Sequence, residues 1–144
     1  MPRPLSAVID ANVVLDVLQR REPWFDDAAA VMAAAETGRF KGMIAGHTVT
    51  NVFYLQARHA SREIGRMRVA ELLRFLDVAA VDRTVIMHAL TLPHADFADA
   101  VLMAAAEHAG ADCVVTRDRA LFASGPVCAV NPGEMLALLS DPAG

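Results

Sequence analysis

Short apolar runs alternate with longer segments of helical spacing along the whole chain. The first run, Ala7-Val8-Ile9, reads as a buried strand that stops at a carboxylate, Asp10. Behind it, "NVVLDVLQR" places Val13, Val14, Val17 and Leu18 on one side of a helix. "DDAAAVMAAAETG" reads as a second helix, acidic at its start and closed by Gly38 as a C-cap. "GMIAG" predicts a strand, "TVTNVFYLQARHA" a helix from near Thr48, and "SREIGRMRVAELLRFL" another, capped by Ser61. "VAAV" predicts a third strand, followed by a helix from Arg83 to about Leu90 that Pro93 ends. The alanine-rich "DFADAVLMAAAEHAG" reads as a helix up to Gly110, and "CVVT" and "PVCAV" as two further strands. In the closing "NPGEMLALL", Asn131 is a natural N-cap, Pro132 takes the first helical position and Glu134 is placed for the reciprocal cap bond.

Strand–helix alternation of this kind predicts an α/β domain whose mainly parallel central sheet is flanked by helices on both faces. The helices often come two to a crossover. No internal repeat, low-complexity tract or linker interrupts the 144 residues, so one domain over residues 1–144 is expected.

Composition narrows the class. Apolar residues at 55% and charged residues at 21% make a globular balance rather than a disordered one. No apolar run approaches the ~18 residues that span a bilayer. The opening "MPRPLSAVID" is too short for a signal peptide, so a cytoplasmic protein without membrane contact is expected. Cys113 and Cys128 lie in apolar segments, fit no metal spacing or redox motif, and read as small core residues. A net charge of −4 gives no global basic signature of a nucleic-acid binder. The arginines Arg58, Arg62, Arg66, Arg68 and Arg74 nevertheless crowd one helical region, as either a solvated face or a phosphate- or partner-contacting one.

The strand that ends in aspartate has a counterpart. "CVVTRD" sets Asp118 just beyond another apolar strand, and Asp96 and Asp99 open the helix before it. In open parallel sheets, ligands bind outside the carboxyl ends of the strands, where strand ends meet the starts of the following helices. Asp10, Asp99 and Asp118 are therefore expected to converge on one spot. Each has an ordinary reading alone: Asp10 as a helix cap, Asp96 or Asp99 as helix-start charges, Asp118 as a turn residue. Together, they repel one another unless a cation neutralises them, and hard oxygen ligands suit magnesium or manganese. Such an ion can activate one of its waters and stabilise charge on a phosphoryl group, which points to phosphodiester hydrolysis.

These residues resemble the PIN-domain family, especially the small prokaryotic VapC-like toxins of toxin–antitoxin pairs. The matching pieces are "VIDANVVLDVL", "TNVFYL", "DFADAVLMAAAEHAGADCVVTRD" and the closing "PVCAVNPGEML", which together cover essentially the whole chain. The resemblance implies a three-layer fold with a parallel sheet, an acidic cluster binding Mg2+ or Mn2+, and RNA cleavage. It also implies an antitoxin partner and a homodimer. Asp10, Asp99 and Asp118 match the first, third and fourth acidic positions, and Asp96 a supplementary acid. Thr116 matches the hydroxyl that orients the site, and Asn12 the polar residue two after the first aspartate. Arg117 and Arg119 are the arginines nearest in sequence and are expected to meet the RNA backbone.

At the second acidic position, where the family has glutamate, this chain has Asn51. An amide oxygen can ligate a metal or hold its water but brings no negative charge. A catalytically weak or inactive PIN-like scaffold that binds RNA or protein is therefore the second reading. A phosphatase or phosphoacceptor domain fits worse, because Asp10-x-Asn12 lacks the second acid and Lys41 stands too early to hold a phosphate.

Overall fold

The computed structural model describes residues 3–94, 96–122 and 125–140. The elements run β1 (Ser6–Ile9), α1 (Ala11–Leu18), α2 (Phe25–Glu36), β2 (Lys41–Ala45), α3 (Gly46–His59), α4 (Arg62–Leu72), β3 (Asp77–Ala79), α5 (Arg83–Ala89), α6 (Phe97–His108), β4 (Cys113–Val115), β5 (Cys128–Val130) and α7 (Pro132–Ser140). A 3₁₀ turn over Arg119–Phe122, not predicted, links β4 towards β5. The five strands form one all-parallel sheet in the order β3-β2-β1-β4-β5.

The strands are apolar on both faces because helices cover both. Ala7, Ile9, Ile44, Cys113 and Val115 point into one core with Val13, Val14, Val31, Val52 and Met135. Their neighbours Val8, Met43, Ala45 and Val114 point the other way, against Val85, Ala89 and residues 100–106 of α6. The period of two is thus present in the strands, but both phases are apolar, which is the mark of a doubly covered parallel sheet. Burying each Val, Leu or Ile fully contributes about 1.5–3 kcal/mol.

Local signals set the helix ends. Ser61 accepts from the Ile64 amide, Asp82 from Val85 and Asp96 from Asp99. At α7, the Asn131 amide donates to Glu134 Oε1 at 2.9 Å while the Glu134 amide donates to Asn131 Oδ1 at 2.8 Å, the reciprocal bond that the sequence predicts. Gly38 and Gly110 take φ of 78° and 70°, left-handed values that end α2 and α6.

Two expectations need correction. Helix α3 starts at Gly46, two residues before Thr48, because the chain turns straight from β2 into the helix without a side-chain cap. Cys113 is buried as expected, its thiol pushed up to about 12 mainly by burial, but Cys128 is exposed. Its strand, β5, is the sheet edge, so half of its surroundings are open.

Candidate functional site

Register brings the two strand-end motifs together. Ile9 pairs with Val115, and one residue further the Asp10 amide donates to the Val115 carbonyl at 2.9 Å. The side chains of Asp10 and Thr116 therefore leave neighbouring strands side by side, where the strand order reverses and parallel sheets open a crevice. The Thr116 hydroxyl, wholly buried, donates to Asp10 Oδ2 at 2.7 Å. Thr116 Oγ1 in turn accepts from the Asp118 amide at 3.1 Å and from Asn12 Nδ2 at 3.4 Å, which uses its full bonding capacity.

Asn12 ties the second motif to the first. Its Nδ2 donates to Asp118 Oδ2 at 3.2 Å, and its Oδ1 accepts from the Arg117 amide at 3.3 Å. Asp10 Oδ1 accepts from the Ala11 amide at 2.7 Å, so Asp10 is both a helix cap and part of this network. Asp96 likewise caps α6, and Asp99 stands in the first turn of that helix.

Charge shows that the carboxylates share one space. Burial first, then repulsion from Asp96, Asp10 and Asp118, raises the Asp99 carboxyl to about 6. Burial also raises Asp10 against the pull of its Thr116 and Ala11 bonds, and Asp118 adds to the rise. Asn51, exposed on α3, is the exception: among the described residues no hydrogen bond joins it to Asp10, Asp96, Asp99 or Asp118. One helical turn before it is His47, which the sequence reading passed over. Its Nε2 lies 3.1 Å from the Ala98 carbonyl, next to Asp99, and its Nδ1 is buried without a hydrogen-bond partner. Burial lowers the His47 pKa, with the Ala98 carbonyl and Asp10 working against that shift. As the second residue of the helix after β2, it occupies the position that Asn12 has after β1, and that was the available signal.

Among the described residues, no three Asp, Glu, His or Cys side chains close directly on one point. The donor set still fits a magnesium-type ion, which keeps several waters and takes only one or two carboxylates directly. Mutual repulsion among Asp10, Asp99 and Asp118 is the excess of negative charge that such an ion offsets.

The nearby arginines are not free phosphate hooks. Arg119 pairs with Glu134 at 2.7 Å. Arg117 Nε lies 2.8 Å from Asp16 Oδ2, and the guanidinium stacks over the Trp24 ring at 3.9 Å. In the arginine-rich region, Arg68 pairs with Glu71, while Arg58, Arg62, Arg66 and Arg74 are exposed.

A pH test follows from Asp99. Its folded pKa, about 6, lies above the ~3.9 of an unfolded aspartate, so its contribution to stability is full below pH ~4 and is lost as pH rises through 6. His47 acts oppositely, stabilising above its unfolded value and losing that as pH falls. The contrast with Asp99→Asn isolates the carboxylate: in chelator, the variant gains stability relative to wild type as pH goes from 4.5 to 7.5. Thermal melts across that range measure it, and parallel curves would show that Asp99 is not under repulsion.

Fold and crevice together define a three-layer α/β domain with an acidic cup at its switch point. The sequence profile of the PIN domain matches residues 6–120, and the chain belongs to the PIN-domain family. Among curated protein sequences there is no significant match. Solved structures share the fold at low identity. A toxin–antitoxin complex from Klebsiella pneumoniae superposes with a TM-score of 0.67 at 19% identity, over 88% of this chain and 97% of that one. FitAcB from Neisseria gonorrhoeae gives 0.68 at 18%, over 88% and 98%. VapC20 from Mycobacterium tuberculosis, described as a sarcin-ricin loop cleaving toxin, gives 0.67 at 17%, over 83% and 95%.

Proposed function

We propose that this protein is a Mg2+- or Mn2+-dependent endoribonuclease and the toxin of a VapBC-type toxin–antitoxin pair, acting in the cytoplasm. The observation that carries the reading is the convergence of Asp10, Asp99 and Asp118 on one crevice from three separate parts of the chain. Family membership and the toxins among its structural neighbours support it.

In this reading Asp10, Asp99 and Asp118 hold the cation, with Asp96 adding negative charge at the rim. The bound ion supplies an activated water and neutralises charge on the phosphoryl group. Thr116 fixes the Asp10 carboxylate through its 2.7 Å bond, and Asn12 fixes Asp118. Asn51 stands on α3, where its amide can orient water but cannot take up a proton as a carboxylate would. An antitoxin and a second copy of the chain are the expected protein partners. Tyr54 on α3, Met67 on α4 and Leu73 just after it are exposed and give them apolar surface. Among the described residues no helix is long and apolar enough to cross a membrane.

The test is incubation of the purified protein with single-stranded and hairpin RNA, with Mg2+, Mn2+ or chelator. Cleavage that needs the cation supports the reading. Intact RNA in both metals would leave the non-catalytic scaffold, which the exposed, uncharged Asn51 favours.

A further inference from the structure

Two histidines meet ring to ring outside the acidic crevice. His88, in the last turn of α5, sets its Nδ1 3.1 Å from Nε2 of His108, the last residue of α6. The other ring nitrogen of His88, Nε2, lies 3.3 Å from Glu107 Oε2. With Thr84, one turn earlier on α5, these side chains line an open depression on the surface. Asp99 stands at the opposite end of α6, about 13.5 Å away along the helix axis at 1.5 Å per residue.

The carboxylate decides which ring nitrogen of His88 is protonated. A carboxylate accepts, so the proton belongs on Nε2, and Nδ1 keeps its lone pair facing His108. Metal-ligating histidines show this same arrangement, because an acceptor behind the ring fixes its orientation and makes the free nitrogen more basic. The spacing fits as well. Two imidazole nitrogens about 2.0–2.1 Å from one ion, at tetrahedral or right angles, stand roughly 2.9–3.4 Å apart. The observed 3.1 Å lies within that range. In the free protein His108 Nε2–H donates to His88 Nδ1. An ion replaces that proton when His108 carries its own on Nδ1 instead, and both rings stay neutral.

Charge favours a cation at this point. Both rings belong to the last turn of a helix, where unpaired carbonyls carry partial negative charge, and Glu107 adds a carboxylate. The donor atoms set the class of ion: imidazole suits Zn2+, Ni2+ and Cu2+, whereas Mg2+ and Mn2+ prefer oxygen.

We infer that His88 and His108 form a second metal site, separate from the acidic crevice, that takes a transition-metal ion of the zinc class. Glu107 orients His88 from behind and is not itself a ligand. Two protein nitrogens plus water make up the coordination, in keeping with the absence of a three-ligand cluster among the described residues. Bound there, the ion ties the end of α5 to the end of α6 and stabilises the folded chain. The inference stands independently of the ribonuclease reading.

Zn2+ is titrated calorimetrically at pH 7.5 into Asp99→Asn, in which the acidic crevice is weakened, and into the same chain with His108→Gln or Glu107→Gln added. His108 is exposed, so its replacement leaves the fold intact. One Zn2+ per chain is expected in Asp99→Asn, bound roughly a hundredfold or more weakly with His108→Gln and roughly tenfold more weakly with Glu107→Gln. Thermal melts should show Zn2+ raising the midpoint of Asp99→Asn and not that of the His108→Gln chain. Electron paramagnetic resonance of added Cu2+ should show coupling to two imidazole nitrogens, reduced by His108→Gln. No Zn2+ binding to Asp99→Asn, or binding of equal strength after His108→Gln, overturns the site and leaves the ribonuclease reading untouched.

Discussion

Asp99→Asn is expected to slow RNA cleavage roughly a hundredfold or more, with the fold intact. The substitution keeps the shape of the side chain and removes one charge from a set that already repels itself. Asp99 is where that repulsion is felt most, its carboxyl raised to about 6 by burial and by three other aspartates. Without a cation the variant should therefore be at least as stable as wild type at neutral pH. Lost activity together with retained or increased stability separates a functional carboxylate from a structural one. Equal cleavage rates would exclude Asp99 from the reaction.

The second large effect concerns folding. Arg117→Leu is expected to lower the unfolding free energy by about 3 kcal/mol, because it leaves the Asp16 carboxylate buried beside only Arg21, 3.9 Å away. Burial already raises the Asp16 pKa, and Arg117 pulls it back most strongly, with a smaller pull from Arg21. Removing Arg117 raises it further. A raised folded pKa means stability that is lost as pH rises, so the deficit is larger at pH 7.5 than at pH 5. Asp16→Asn combined with Arg117→Leu should recover part of it. Urea denaturation with an unchanged slope and a lower midpoint measures the effect, and a shift under about 0.5 kcal/mol would contradict the role assigned to the pair.

Much of this was legible in the chain. Apolar runs marked all five strands, and capping residues marked the starts of α1, α4 and α7, because those signals are local. The strand-end aspartates were legible for the same reason: a charge at the end of a buried run has few explanations. Partnership between distant segments was not legible. Asp16 follows the apolar Val13, Val14 and Leu15 and looks like the wet side of an amphipathic helix, yet it is fully buried because Arg117 arrives from the other end of the chain. Arg117 and Arg119 read as free cations next to the site, and only the folded chain pairs them with Asp16 and Glu134. Trp24, in a loop with no periodicity, carried no signal at all. Cys128 read as core because an apolar strand does not announce that it lies at an edge.

In the proposed function, the crevice at the ends of β1 and β4 holds a divalent cation. Calorimetric titration of Mn2+ into wild type and into Asp99→Asn at pH 7.5, each repeated with an RNA strand made uncleavable at its phosphates, tests it most directly. Saturable binding to wild type, lost or greatly weakened in the variant, is the expected result. No binding to wild type, with or without RNA, or equal binding to both proteins, would contradict it.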